Sequence, residues 1–149
     1  MQNHTVLSLT QPWALLLVLG EKRNETRSWM RSFRGRLLIH AASKWSEADR
    51  ALLYVFIRRF KLDDSYNSPL WRLGHDPRMF GHIIGSVNVI DWKKQTHEDF
   101  LKLSGKEAAL GLYAPGRSTI VCSEPRFFQT PVPIKGHLGL WTYEGEMPS

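Results

Sequence analysis

Residues 10–29 read TQPWALLLVLGEKRNETRSW, and the way this stretch folds decides the rest of the chain. Its first half has the marks of a helix. Thr10 or Gln11 stands at the cap, Pro12 lies in the first turn and Gly20 falls just past the end. The residues between are apolar nearly all round, which predicts burial on most sides. Then the character changes. Glu21, Lys22, Arg23, Glu25 and Arg27 follow within seven positions, and Trp29 closes the run. A solvated loop accounts for the charge but leaves the tryptophan unexplained. If ETRSW runs extended, Glu25, Arg27 and Trp29 share one face by the two-residue period of a strand. An acid, a planar cation and a large aromatic are the groups that bind a nucleobase and its phosphate.

Working outward, HTVLSLT (4–10) alternates as a first strand and RLLIHAAS (36–43) as a central one. SEADRALLYVFIRRF (46–60) predicts a helix. Ser46 caps it with Asp49 in the capping-box position, and Leu52, Val55, Phe56 and Phe60 form the face expected to be buried. Residues 63–79 are rich in turn formers and predict a long connection, either a lid or a disordered insertion. HIIGSVNVIDW (82–92) is a strand with Gly85 at a bulge, and a short helix is expected near 97–104. RSTIVCSEP, RFFQTPVPI and GHLGLWTY supply three more strands, Pro131 and Pro133 marking an edge. Nothing divides the sequence, so residues 1–149 are expected to form a single domain. Five or six short strands with two or three flanking helices predict an α+β fold, its sheet curled into a barrel.

Charge narrows the choice of partner. Net charge is +6 over 149 residues, with a sequence pI near 9.7. The window 21–36 holds six basic residues against two acidic ones, Glu21 and Glu25, and so carries +4 of that total. A focused positive field concentrates polyanions, which points to nucleic acid. Apolar content of 42% argues for a folded domain rather than a disordered tail. The single cysteine, Cys122, excludes an intrachain disulfide and a zinc-type cysteine cluster. It has no adjacent base in sequence to activate it. His4, His75, His82, His97 and His137 show no ligand spacing, so neither metal nor cofactor is expected. The apolar run WALLLVLG is too short to cross a bilayer and lacks the marks of a secretory leader. The expectation is a soluble, cytoplasmic protein with no membrane partner.

Four segments taken in order, LSLTQPWALLLVLGEKRNETRSW, RGRLLIHAASK, IIGSVNVIDW and PVPIKGHLGLW, resemble the ASCH domain family. That family is a PUA-like β-barrel linked to RNA and modified nucleosides. Its G-x-K-x-x-E-x-R signature is matched here by Gly20, Lys22, Glu25 and Arg27. The resemblance implies a cleft beside the first helix into which the signature projects, and hence an RNA- or modified-nucleotide-binding module. Lys22 and Glu25 are the candidates for chemistry or for anchoring. Arg27, Trp29, Trp13, His40, Ser43 and Lys44 are the candidates for contact, although Trp13 and His40 lie on apolar elements where a core role is the simpler reading. Some small members of the family are amidohydrolases that remove an acyl group from the exocyclic nitrogen of cytidine. They carry a threonine where this chain has Glu25, which makes Glu25 the group to activate water and Lys22 the group to stabilise the oxyanion. Asp91 is the candidate for a further carboxylate. Ribonuclease activity, with His40 or Glu25 moving the 2′-OH proton, and a protein-interaction role for the basic face complete the alternatives.

Overall fold

The apolar run after Pro12 forms helix α1 (Trp13–Val18), and Ala14 to Val18 are all buried. The Gln11 side chain fixes its start. Its amide oxygen accepts the Leu15 N–H (3.0 Å) and its amide nitrogen donates to the Met79 carbonyl (2.8 Å). Gly20, at φ +80°, ends it in a conformation that favours glycine. The N–H groups of Glu21 and Lys22 then both fold back to the Leu16 carbonyl.

In this computed structural model, which describes residues 2–149, α1 packs against one face of a six-stranded mixed sheet. Its strands are β1 (Gln2–Leu9), β2 (Asn24–Arg27), β3 (Gly35–Ala41), β4 (His82–Lys94), β5 (Ser118–Pro133) and β6 (Leu140–Gly145). They lie in the order β2-β5-β4-β3-β1-β6, and only the β1–β3 pair is parallel. Period-two alternation serves two cores. Leu7, Leu37, Ile39 and Ile84 join α1 on one side, while Val6, Leu38, Ile83 and Phe128 pack on the other beneath Trp141 and Tyr143.

The α+β architecture and the count of six strands agree with the sequence reading. The sheet, however, is open: β2 and β6 are its edges, and no ladder joins them among the described residues. Curvature comes instead from bends within the long β4–β5 pair. Register shifts at Gly85 and beyond, together with Glu124 at φ +47°, coil that ladder without closing it. A side chain at Gly85 would run into the Arg126 carbonyl oxygen and Val18, so the close approach of α1 requires glycine there. RSTIVCSEP and RFFQTPVPI, read as two strands, are one, since the chain bends at Glu124 and stays paired with β4.

Among the described residues, five α-helices flank the sheet. The longest, α2 (Glu47–Phe60), begins at Ser46, whose hydroxyl accepts the Asp49 N–H (3.0 Å). Only Leu53 and Phe56 of α2 are fully buried, whereas Leu52 and Val55, expected in the core, are exposed at 41% and 49%. The connection 63–79 is an ordered, packed segment. It holds α3 (Pro69–Arg72) and a 3-10 turn (Pro77–Met79), with Leu70, Leu73 and Met79 buried. The helix expected near 97–104 is two short ones, α4 (His97–Leu101) and α5 (Gly105–Ala109), capped by Thr96 and Ser104. Among the described residues no helix is long and apolar enough to cross a membrane.

Candidate functional site

Folding the chain back at Gly20 sends Lys22 inward beside α1, where its side chain is 2% exposed. Its Nζ lies 3.0 Å from Glu25 Oε1 and 5.4 Å from the centre of the Trp13 ring. Glu25 is the second residue of β2, and its second oxygen stands 3.4 Å from Arg27 Nη2. That same nitrogen donates to the Ser8 carbonyl at the end of β1 (2.9 Å). One carboxylate is thus held between two cations, with Glu25 also largely buried. The triad carries a net charge of +1, and its two largely buried members, Lys22 and Glu25, need polar contacts to offset their loss of hydration. Arg27 Nε is the only buried side-chain nitrogen or oxygen without a hydrogen-bond partner among the described residues.

This network forms the floor of a cleft of about 760 Å³. Trp13, Phe56, Leu52 and Val55 wall it on the helical side, and Ala109 to Leu112 wall it opposite. Lys22, Arg27, Arg59 and Arg117 line it against Glu25 alone, so the lining carries +3. The volume and the combination of apolar walls with a few converging polar groups match a small-ligand site.

The opposite wall is tied to the signature turn. Lys106 of α5 pairs with Glu21 (2.8 Å), and Glu107 accepts both the Arg23 N–H and the Tyr113 hydroxyl. Burial, and next the Glu107 charge, push the Tyr113 hydroxyl well above the usual phenol range, so it stays a proton donor in this contact. Arg117 reaches the Thr26 and Leu112 carbonyls and spans the gap between β2 and that wall.

A model of the ASCH domain matches residues 7–132. This chain belongs to the ASCH domain family. It is 29% identical over 147 residues to activating signal cointegrator 1 of Mus musculus, and equally so to that of Homo sapiens; each match covers 95% of this chain. The chain spans 22% of the length of those relatives. A crystal structure of ASCH from Zymomonas mobilis superposes with a TM-score of 0.56 at 14% identity, covering 95% of this chain and 87% of that one. A tyrosine-to-phenylalanine mutant of the same bacterial protein gives 0.51 at 13% identity, covering 95% and 90%. At such identities the likeness establishes the fold.

Of the candidate residues in this ASCH domain, Lys22, Glu25, Arg27 and Trp13 line the cleft together. Trp29 does not. It lies beyond the end of β2, its ring 5.4 Å from that of Trp92, and its carbonyl accepts the Ser118 hydroxyl (2.6 Å). His40 sits one residue behind the cleft. Trp141 Nε1 donates to Ser8 Oγ (3.1 Å), which leaves that hydroxyl to donate to His40 Nδ1 (3.0 Å) and Nε2–H to donate to the Ile134 carbonyl (2.7 Å). Ser43 and Lys44 are exposed outside the cleft, and Ala42 takes the lining position. Asp91 is likewise outside, paired with Arg34 (3.0 Å). Cys122 is buried and its thiol is pushed up to about 12, first by burial and then by the Glu25 charge. No residue of 63–79 lines the cleft. Among the described residues no group of three or more His, Cys, Asp or Glu is placed to hold a metal.

Leu52 and Val55 escaped sequence reasoning because their spacing fits a core face as well as a cleft wall, and Arg59 because it lies off that face among other exposed cations. Arg117 lies in a loop, where no periodicity marks it.

Proposed function

We propose that this ASCH domain binds RNA through one nucleotide, or a modified nucleoside, held in the cleft. The base lies beside Trp13 and against Leu52 and Val55, with its polar edge over the Lys22–Glu25–Arg27 floor. Its phosphate faces Arg59 and Arg117. The observation that carries this reading is the buried cation–carboxylate–cation network at the bottom of an apolar-walled cavity with a net +3 lining. Such a floor offers donors and an acceptor to a base edge, and the excess positive charge favours an anionic ligand. Phosphate contacts release condensed counterions, so affinity for a short RNA falls steeply with salt. Titration of a labelled oligonucleotide at low and moderate salt tests this. Lys22→Ala is expected to weaken binding about tenfold or more, the loss of one charge-assisted contact. Absence of binding at low salt sinks the proposal.

A second reading is favoured by the 3.0 Å approach of Lys22 to Glu25 inside the cleft. In an N4-acylcytidine amidohydrolase, Glu25 takes a proton from water as its oxygen adds to the acyl carbon, and Lys22 stabilises the oxyanion. The C–N bond then breaks, the amine takes the proton, and carboxylate and cytidine leave. Acetate release from N4-acetylcytidine, lost in both Lys22→Ala and Glu25→Gln, supports this chemistry. Binding without turnover leaves the cleft as a reader of nucleic acid.

A further inference from the structure

Helix α2 supplies one wall of the cleft, yet most of its charge points elsewhere. At 100° per residue, the buried Leu53, Phe56 and half-buried Phe60 mark the core side, and Leu52, Val55 and Arg59 mark the cleft side. Arg50, Tyr54 and Arg58 fall within an arc of about 80° on a third side, and Lys61 follows at the helix end as its left-handed C-cap residue. All four are exposed, Tyr54 at 57%. None of the three cations makes an ion pair among the described residues. Glu47, in the first turn of the helix, projects onto this same side but makes no ion pair among the described residues, so the face keeps a net charge of +2. Asp49 projects toward the core side instead, and Asp63 accepts the N–H and hydroxyl of Ser65. The Arg50 guanidinium is set over the Trp45 ring at 5.1 Å, so its position is fixed while its charge stays free.

We infer that this outer face of α2 is the track for the strand flanking the bound nucleotide, and that the ligand is single-stranded RNA rather than a free nucleoside. The inference rests on the cleft reading above. A chain leaving the cleft at Arg59 crosses the exposed crest at Val55 and Ala51, where small and mid-sized side chains leave room, and then meets Arg58 and Tyr54. Phosphates pair with Arg58, Arg50 and Lys61, and one base stacks on Tyr54. Backbone charges beside an exposed aromatic is the arrangement by which proteins hold single strands without reading their sequence. Continuity with the cleft and the sign of the unpaired charge select a polyanion as the occupant, and the exposed tyrosine selects one that carries bases.

The test compares a mononucleotide with an eight-nucleotide RNA on the whole chain, using wild type, Tyr54→Ala and the triple variant Arg50→Ala/Arg58→Ala/Lys61→Ala. All four positions are exposed, and thermal melting confirms that each variant is folded. The octamer is expected to bind wild type more tightly than the mononucleotide. The triple variant loses that advantage, and its slope of log affinity against log salt falls by about 2, three phosphate contacts at about 0.7 each. Tyr54→Ala weakens octamer binding about fivefold or more. Neither change alters mononucleotide affinity. Wild-type octamer affinity in the triple variant, with mononucleotide binding intact, overturns the track and leaves the cleft standing. Equal binding of inorganic polyphosphate and no effect of Tyr54→Ala also overturns it, since the face is then a general anion surface. An acidic protein that binds wild type but not the triple variant, when RNA binds neither, overturns it in favour of a protein partner. Failure of wild type to bind either ligand removes both readings.

Discussion

Two carboxylates in this chain are each held by two cations, and they sit in opposite surroundings. Glu25 lies between Lys22 and Arg27 in the floor of the cleft. Asp76 lies between Arg72 (3.0 Å) and Arg78 (2.9 Å), on the connection between α2 and β4. The sequence patterns are almost the same, K-x-x-E-x-R against R-x-x-x-D-x-R. Their surroundings separate them. Asp76 also accepts the Arg78 N–H (2.9 Å), and it does not line the cleft. It holds a connection in shape. Glu25 is supported by a helix turn on one side and by β1 on the other, and it faces open volume. Both triads close within a few residues of chain; what differs is that Arg27 also reaches the Ser8 carbonyl of β1 and that the Glu25 triad borders a cavity.

That contrast breaks most readily at Glu25. Glu25→Gln keeps the shape but leaves the Lys22 charge, 2% exposed, without a counter-charge. Removing one member of a buried pair costs about 3 kcal/mol or more, which for a chain of this size is a fall in Tm of about 6–12 °C. Lys22→Met combined with Glu25→Gln is expected to recover much of this, because the stranded charge is gone. Thermal melts of the two single variants and the double close the cycle. A loss below about 1 kcal/mol in Glu25→Gln would show that Lys22 reaches water, and the site would no longer differ from the outer triad.

Asp76→Asn is the matching change at the outer triad, where Asp76 and Arg72 are partly buried and Arg78 is half in solvent. The expected loss is about 1 kcal/mol, or about 2–4 °C. It carries a pH signature. Hydrogen bonds from Arg78 hold the Asp76 carboxyl well below the usual carboxylate range. A carboxylate whose pKa is depressed on folding contributes stability above its unfolded value, about 3.9, and loses it as pH falls further. Wild type and variant should therefore converge in acid. A gap that persists unchanged at low pH would mean the asparagine costs through packing instead.

How much of this was legible beforehand follows from the same contrast. Pro12, Gly20 and the apolar run between them announced α1, because those residues act through local backbone geometry. Gly85 announced a bulge for the same reason. Glu25 and Arg27 stood out by their place behind a buried helix, and Lys22 by the signature of the family resemblance. The charge pattern alone would have singled out Arg72–Asp76–Arg78 as readily. The bend at Glu124 escaped notice because a left-handed non-glycine residue leaves no mark in the sequence. The cleft face of α2 escaped for another reason. Leu52 and Val55 are apolar at helical spacing, and hydrophobicity does not say whether a side chain meets the core or a ligand. Trp29 shows the converse error: period two put it on the face of Glu25 and Arg27, but β2 ends at Arg27 and the chain turns before reaching it.

The smallest expected effect concerns His40, which links the floor to the second core through Ser8. Burial lowers its pKa, partly offset by the bond to Ile134, while His82 and His137 also disfavour its charge. In the unfolded chain histidine titrates near about 6.5. A base whose pKa is lower in the folded state stabilises the fold while neutral, and that contribution drains away as pH falls through about 6.5, where the unfolded chain takes up the proton first. Protonation would also place a donor at both ring nitrogens and force Ser8 Oγ to accept from His40 as well as from Trp141. The expected result is a small decline in Tm between about pH 7.5 and 5.5 that His40→Gln removes, whatever its own stability. Because Ser8 also gives its carbonyl to Arg27, nucleotide affinity should weaken over the same interval in wild type and not in the variant. If stability declines but affinity does not, the Ser8 hydroxyl shifts without moving its backbone, and the floor of the cleft is insulated from the core behind it.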